Sequence, residues 1–297
     1  MKTSKLVLAV VLSLAIFSCS KKDNNDEVNF SVDEAAVNAK IDVSNDDVSD
    51  IIEGQFDATS TNPLSGKSTE NRLPTLPNLP ACAVITRVPS FGTAVTVGTL
   101  VTKTINFGTV GCTMPNGNIL KGKIIMTFTF DPNATSHTIN YQFDNFYHNA
   151  VKFDGNKTFT RTMTAATAAS ASHPIVVMTM DMTATFPDGR VYTRVGTRTR
   201  EIIEGYNTPT DFLDNVYKIT GNWTTTKPNS TAQTSTITTP LRVRMSCINV
   251  NKPLIVAGVI SFERNNQTAT LDYGNGDCDN LATFTFNGVS YQIIIGN

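Results

Sequence analysis

The sequence is poor in the residues that usually carry chemistry. It has three histidines and one tryptophan among 297 residues. His137, His148 and His173 have no Cys, Asp or Glu beside them at metal-ligand spacing, so they read as surface or loop residues. No Gly-x-Ser-x-Gly elbow occurs. Charge is scarce as well: Asp, Glu, Lys and Arg make up 16% of the chain, with a net charge of −1. That balance excludes the basic footprint of a nucleic-acid binder. No apolar run reaches the roughly 20 residues of a membrane-spanning helix. Helical periodicity is missing after residue 55. What the chain has in quantity is threonine, 43 residues of it, with Val, Ile and Phe. These residues suit a pleated, half-buried surface. The composition therefore predicts an all-β fold and no enzyme.

The first stretch with a clear meaning is the N-terminus. Lys2 and Lys5 precede an uncharged run from Leu6 to Phe17. Twelve residues at about 1.5 Å each cover only about 18 Å, too short for a ~30 Å hydrocarbon core. The run reads as a secretory signal over residues 1–18. It ends Ile16-Phe17-Ser18-Cys19, which resembles the lipobox of bacterial lipoproteins. The resemblance implies acylation, such as palmitate, at Cys19 and anchoring without a membrane span. An ordinary signal peptide cut nearby, leaving a free cysteine, is the other reading. Ser20-Lys21-Lys22-Asp23-Asn24-Asn25-Asp26-Glu27 follows, a polar run that stays solvated. Residues 19–30 look like the lipidated cysteine and flexible export tether of Bacteroidetes-type outer-membrane and surface lipoproteins. That likeness implies an outer-membrane anchor, facing the cell surface or otherwise the periplasm.

Ser31-Val32-Asp33-Glu34 reads as a capping box that opens a helix. Val32, Ala35, Ala36 and Ala39 lie at helical spacing, so one or two short, weakly packed helices are expected at the edge of a sheet. From Phe56 to Pro80 four prolines fall among Ser, Thr and Asn, giving residues 31–80 the look of short helices and linker. Residues 81–297 form the β-rich domain. Ile124, Met126, Phe128 and Phe130 alternate with polar neighbours, as do Ile139, Tyr141 and Phe143, and Ile237 to Met245. Period-two patterning marks antiparallel strands, expected in a large meander that forms a twisted sheet, sandwich or partly open barrel. Asn116-Gly117, Asp154-Gly155, Asp188-Gly189 and Asn287-Gly288 are hairpin signals. A two-residue turn at Asp188-Gly189 would pair Phe186 with Val191 and Met182 with Val195. Tyr192, Arg194 and Arg198 would then lie on the opposite, polar face. A two-residue turn at Asp154-Gly155 would oppose Lys152 to Lys157, so a bulge or longer loop is expected there.

Four further cysteines fall as Cys82…Cys112 and Cys247…Cys278. Phe107-Gly108 and Tyr273-Gly274 each stand just before the second cysteine. Two related modules are expected, spanning 82–130 and 247–297. In an exported chain the arrangement favours disulfides Cys82–Cys112 and Cys247–Cys278, although three pairings are possible. A four-cysteine metal site is disfavoured because Cys-x-x-Cys spacing is absent.

The remaining candidates are ligand faces. Asp272, Asp277 and Asp279 offer hard oxygens to Ca²⁺, or simply make turns. Arg190, Tyr192, Arg194 and Arg198, followed by Arg200, share one parity and form either a solvated ladder or a face for anionic or sugar ligands. Met178, Met180 and Met182 fill a core or line an apolar pocket. The expectation is a non-catalytic envelope lipoprotein. It touches the membrane through its lipid and binds an unidentified glycan, lipid or protein. A lipid carrier would need a hollow Met- and Phe-lined interior.

Overall fold

The computed structural model describes residues 29–61, 79–168, 171–208 and 211–295. Cys19 and its tether lie outside these residues, as does most of the proline-rich stretch. The body is one antiparallel sheet that remains open, together with one α-helix among the described residues, α1 (Val32–Thr61). The strands are β1 (Val84–Val88), β2 (Leu100–Asn106), β3 (Cys112–Thr113), β4 (Ile119–Thr129), β5 (Ser136–His148), β6 (Val151–Met163) and β7 (Pro174–Thr185). Then come β8 (Val191–Glu204), β9 (Val216–Thr226), β10 (Ala232–Arg244), β11 (Ile255–Arg264), β12 (Gln267–Asn275), β13 (Leu281–Phe286) and β14 (Val289–Ile294). Each strand pairs with the next in sequence, except that β2 pairs with β4 and the short β3 pairs with β4 alone. The expected meander is present, as an open sheet.

Helix α1 begins where the capping box places it. The Glu34 N–H donates to Ser31 Oγ at 3.2 Å, and the Ala35 N–H donates to the Ser31 carbonyl. Its extent and position differ from expectation. It runs for 30 residues rather than forming one or two short pieces. It lies inside the sheet, not at the edge: Ala39, Ile41, Asp42, Val48 and Ile52 are all fully buried, on every side of the helix. The sheet coils around it. Strands β8, β11 and β12 reach its N-terminal and middle turns, through Arg194, Arg264 and Tyr273. Strands β2, β5 and β6 reach from the middle to the C-terminal turns, through Lys103, His148 and Lys157. Rings cap both ends, Phe30 against Phe262 and Phe286, and Phe56 against Phe128.

The Asn287-Gly288 hairpin has the expected register, with Phe286 opposite Val289 and Phe284 opposite Tyr291. Asp188-Gly189 does not. The Phe186 N–H donates to the Arg190 carbonyl, so the loop is three residues long, Pro187 to Gly189. Thr185 therefore faces Val191, and Met182 faces Arg194. A one-residue slip moves a whole strand to the other face, so the methionines and the arginines share the inner face. Asp154-Gly155 is not a turn. It lies within β6, whose hairpin with β5 closes at Asn149 and Ala150 between the paired His148 and Val151. Gly155 has φ of +115°, and a Cβ there would run into the Asp181 backbone oxygen of β7.

Cys82 and Cys112 are bonded with Cα atoms 5.8 Å apart, and Cys247 and Cys278 with Cα atoms 5.2 Å apart. Both spacings suit a disulfide. Each bridge encloses one hairpin, β1–β2 or β11–β12. Phe107 and Tyr273 are both buried, and each precedes a glycine of positive φ.

Replacing Gly155 with Ala should cost about 2 kcal/mol or more, because backbone must move to admit the methyl. Gly189→Ala, with φ of +85° but open space around it, should cost only the left-handed strain of about 1–2 kcal/mol. Urea unfolding of both variants checks the order.

Candidate functional site

Among the described residues, the buried charges divide cleanly by element. Every buried acid, namely Asp42, Asp46, Asp47, Asp50 and Glu53, is on α1. Every buried base is on a strand: Arg87, Lys103, His148, Lys157, Arg194, Arg198, Arg200 and Arg264. All but Arg87 point at the helix or its entrance. Asp42, Asp46, Asp50 and Glu53 recur at helical spacing and make one acidic stripe, which β8 meets. Arg194 Nη1 donates to Asp42 Oδ1 at 2.6 Å and Arg198 Nη2 to the same oxygen at 2.5 Å. Tyr273 donates its hydroxyl to Asp42 Oδ2 at 3.0 Å. Arg200 holds Asp50, and its Nη1 donates to Glu53 Oε1 at 2.7 Å. On another side of the helix, Asp47 accepts from the amides of Asn116 and Asn118 at 2.8 Å each and lies 2.7 Å from His148 Nε2.

The Arg190, Tyr192, Arg194 and Arg198 ladder is therefore not a solvated or ligand-binding face. Arg194 and Arg198 are buried and stack on Trp223, with guanidinium carbons 5.2 and 4.3 Å from the ring centre. Arg190 and Tyr192 stand at the helix entrance, where Arg190 pairs with Asp33. Met178, Met180 and Met182 do not line an apolar pocket. They are buried against α1, and the void beside Met178 holds about 10 Å³, enough for about one water. His148 is a core residue rather than a surface one. His173 lies 3.1 Å from Glu201, and the His137 ring packs tilted against Phe56.

The proposed calcium ligands do not converge. Asp272 Oδ1 accepts from the Gly274 N–H and Asp279 Oδ1 from the Leu281 N–H, as turn-making carboxylates do. Among the described residues no three His, Cys, Asp or Glu side chains are grouped to hold a metal.

Burial dominates the titration of the interior. It pushes Asp46 and Asp50 up to about 7 against the pull of Arg198 and Arg200. It pushes Lys103 and Lys157 down to about 7.

The outer face is chemically different. One row of outward side chains crosses the sheet from β2 to β14. It begins Thr102, Thr127, Asn140, Thr158, Thr179, Thr197, each opposite the next. It continues from Thr197 through Asn222, Thr236, Ser261, Thr270, Thr285, Ser290. None of these side chains is buried. All are neutral hydroxyls or amides. Sequence reasoning missed this row because it appears only when the register of every strand is known.

On β4, β5 and β6 the row sinks into a cleft of about 350 Å³. Thr127, Asn140 and Thr158 line one side, and Ile125, Gln142 and Asn156 the other. Thr158 Oγ1 donates to Asn140 Oδ1 at 2.8 Å. Among the described residues the amides of Gln142 and Asn156 have no side-chain partner.

Comparison with protein-family models, with curated proteins and with solved structures finds no match to this chain.

Asp46 and Asp50 titrate higher in the folded chain than in the unfolded one, so their contribution is present below about pH 4 and lost as pH rises through about 7. The Asp46→Asn variant lacks one of these losses. Its unfolding free energy should gain on the wild type between about pH 4 and pH 7. Urea titrations at both ends of that range measure it, and a constant difference would contradict the assignment.

Proposed function

We propose that this chain is a lipid-anchored protein of the bacterial outer membrane, displayed at the cell surface, with a non-catalytic binding or structural role. The leader that ends at Cys19 and the polar run after it support the anchor. No helix among the described residues is long and apolar enough to cross a membrane.

One observation favours presenting a surface outside over carrying a ligand inside. The interior is already filled by α1, whose acids are matched by the strand bases. A lipid carrier needs that space free. The outer face is what remains available to a glycan or protein partner, and a chain of net charge −1 offers no basic footprint for nucleic acid.

Replacing Cys19 with Ala should release the protein from the membrane fraction into the soluble envelope fraction and abolish labelling by a palmitate analogue. A variant that stays membrane-bound, beside an unlabelled wild type, would remove the anchor from this reading.

A further inference from the structure

We propose that the cleft on β4, β5 and β6 binds one segment of a neutral, linear polysaccharide, whose chain continues along the row of hydroxyl and amide side chains. This deepens the surface-binding reading and rests on it, but it does not depend on the lipid anchor.

The row differs from its neighbours on the same sheet. The row beside it includes Ile125, Asp181, Val195 and Glu263, an ordinary solvent-facing mixture. The row on its other side, Thr138, Thr160, Val177, Thr199 and Thr220, is also mostly threonine but is interrupted by the exposed Val177 and holds no amide. In the central row every position from β2 to β14 is Thr, Ser or Asn. Threonine alone has an ordinary explanation, because it favours strands. Asparagine does not, because strands are depleted in it. Yet Asn140 and Asn156 stand in the cleft and Asn222 lies further along the row.

The chemistry suits sugars without charge. An amide offers two donors and an acceptor, which match neighbouring hydroxyls on a ring, and a threonine hydroxyl gives and takes one proton. The threonine methyls pack against C–H faces. Nothing in the row pairs with an anion or a cation. Strands follow one another at about 4.8 Å, so the row repeats on the scale of one sugar ring per strand. A cleft of about 350 Å³ falls within the range that holds a small ligand.

The test is isothermal titration of the full chain in detergent with cello-, xylo-, manno- and malto-oligosaccharides of increasing length. Polygalacturonate serves as the anionic control. One neutral series should bind, with affinity that grows with chain length and does not change over a tenfold rise in NaCl, since screening acts only on charge. The N140A/Q142A double variant, at two exposed positions, should bind at least tenfold more weakly with an unchanged melting temperature. N222A, on the row outside the cleft, should lose less. Cys19→Ala should bind as the wild type does, which separates this proposal from the anchor. Failure of every neutral series, binding only to the anionic polymer, or full affinity in N140A/Q142A would overturn it.

Discussion

The structure depends on matched charge between a helix and the sheet around it. Helix α1 is not amphipathic in the usual sense, because water touches almost none of it. Its carboxylates could not be buried alone, since an unpaired buried charge costs several kcal/mol. The inward arginines and lysines of the strands are in the same position. Each set makes the burial of the other possible. Arg194 and Arg198 share one carboxylate, Asp42, and rest on one indole, Trp223. Buried ion pairs of this kind add little net stability over a well-packed apolar core. What they supply here is position. With Asp42 at β8 and β12 and Asp47 at His148, these contacts fix the rotation and the depth of the helix.

This arrangement also accounts for which parts of the fold were legible in the sequence. Strands with simple alternation, such as Ile124 to Phe130, stand as the pattern predicts. So do the capping box at Ser31 and the Asn287-Gly288 turn, because each depends on residues close in the chain, and the cysteine pairs, because each encloses one hairpin. The inner face of β8 was not legible. Arg194, Arg198 and Arg200 look like a solvated ladder until the helix that pairs with them is placed. The helix reads as weak because its apolar side chains are small, and nothing near its acids in the chain marks them for burial. The signal was present in two halves, an acidic stripe from Asp42 to Glu53 and a basic ladder on β8, and neither half names the other. The Pro187 to Gly189 loop added a second obstacle. One extra loop residue put the methionines and arginines on the same face instead of opposite faces.

Because the interior is closed to ligands, the fold separates its tasks. Charge, aromatics and methionine are spent on enclosing α1. On the outer face, where charged and apolar residues are mixed, one neutral polar row from Thr102 to Ser290 runs unbroken through every register between those strands. The Cys82–Cys112 bridge encloses the hairpin at one end of the sheet, where β1 lacks a strand on one side, and Cys247–Cys278 encloses β11–β12, two strands in from the other end. Each closure limits the unfolded chain.

The most direct test of the charge-matched interior is a double-mutant cycle on Asp42 and Arg194, which meet at 2.6 Å with both side chains buried. Unfolding free energies of Asp42→Asn, Arg194→Met and the double variant give the coupling. The account predicts singles that each lose about 3–5 kcal/mol and a double that loses well short of their sum. Losses that add to within about 0.5 kcal/mol would show the two groups to be independent, and α1 would not be held where the matched charges put it.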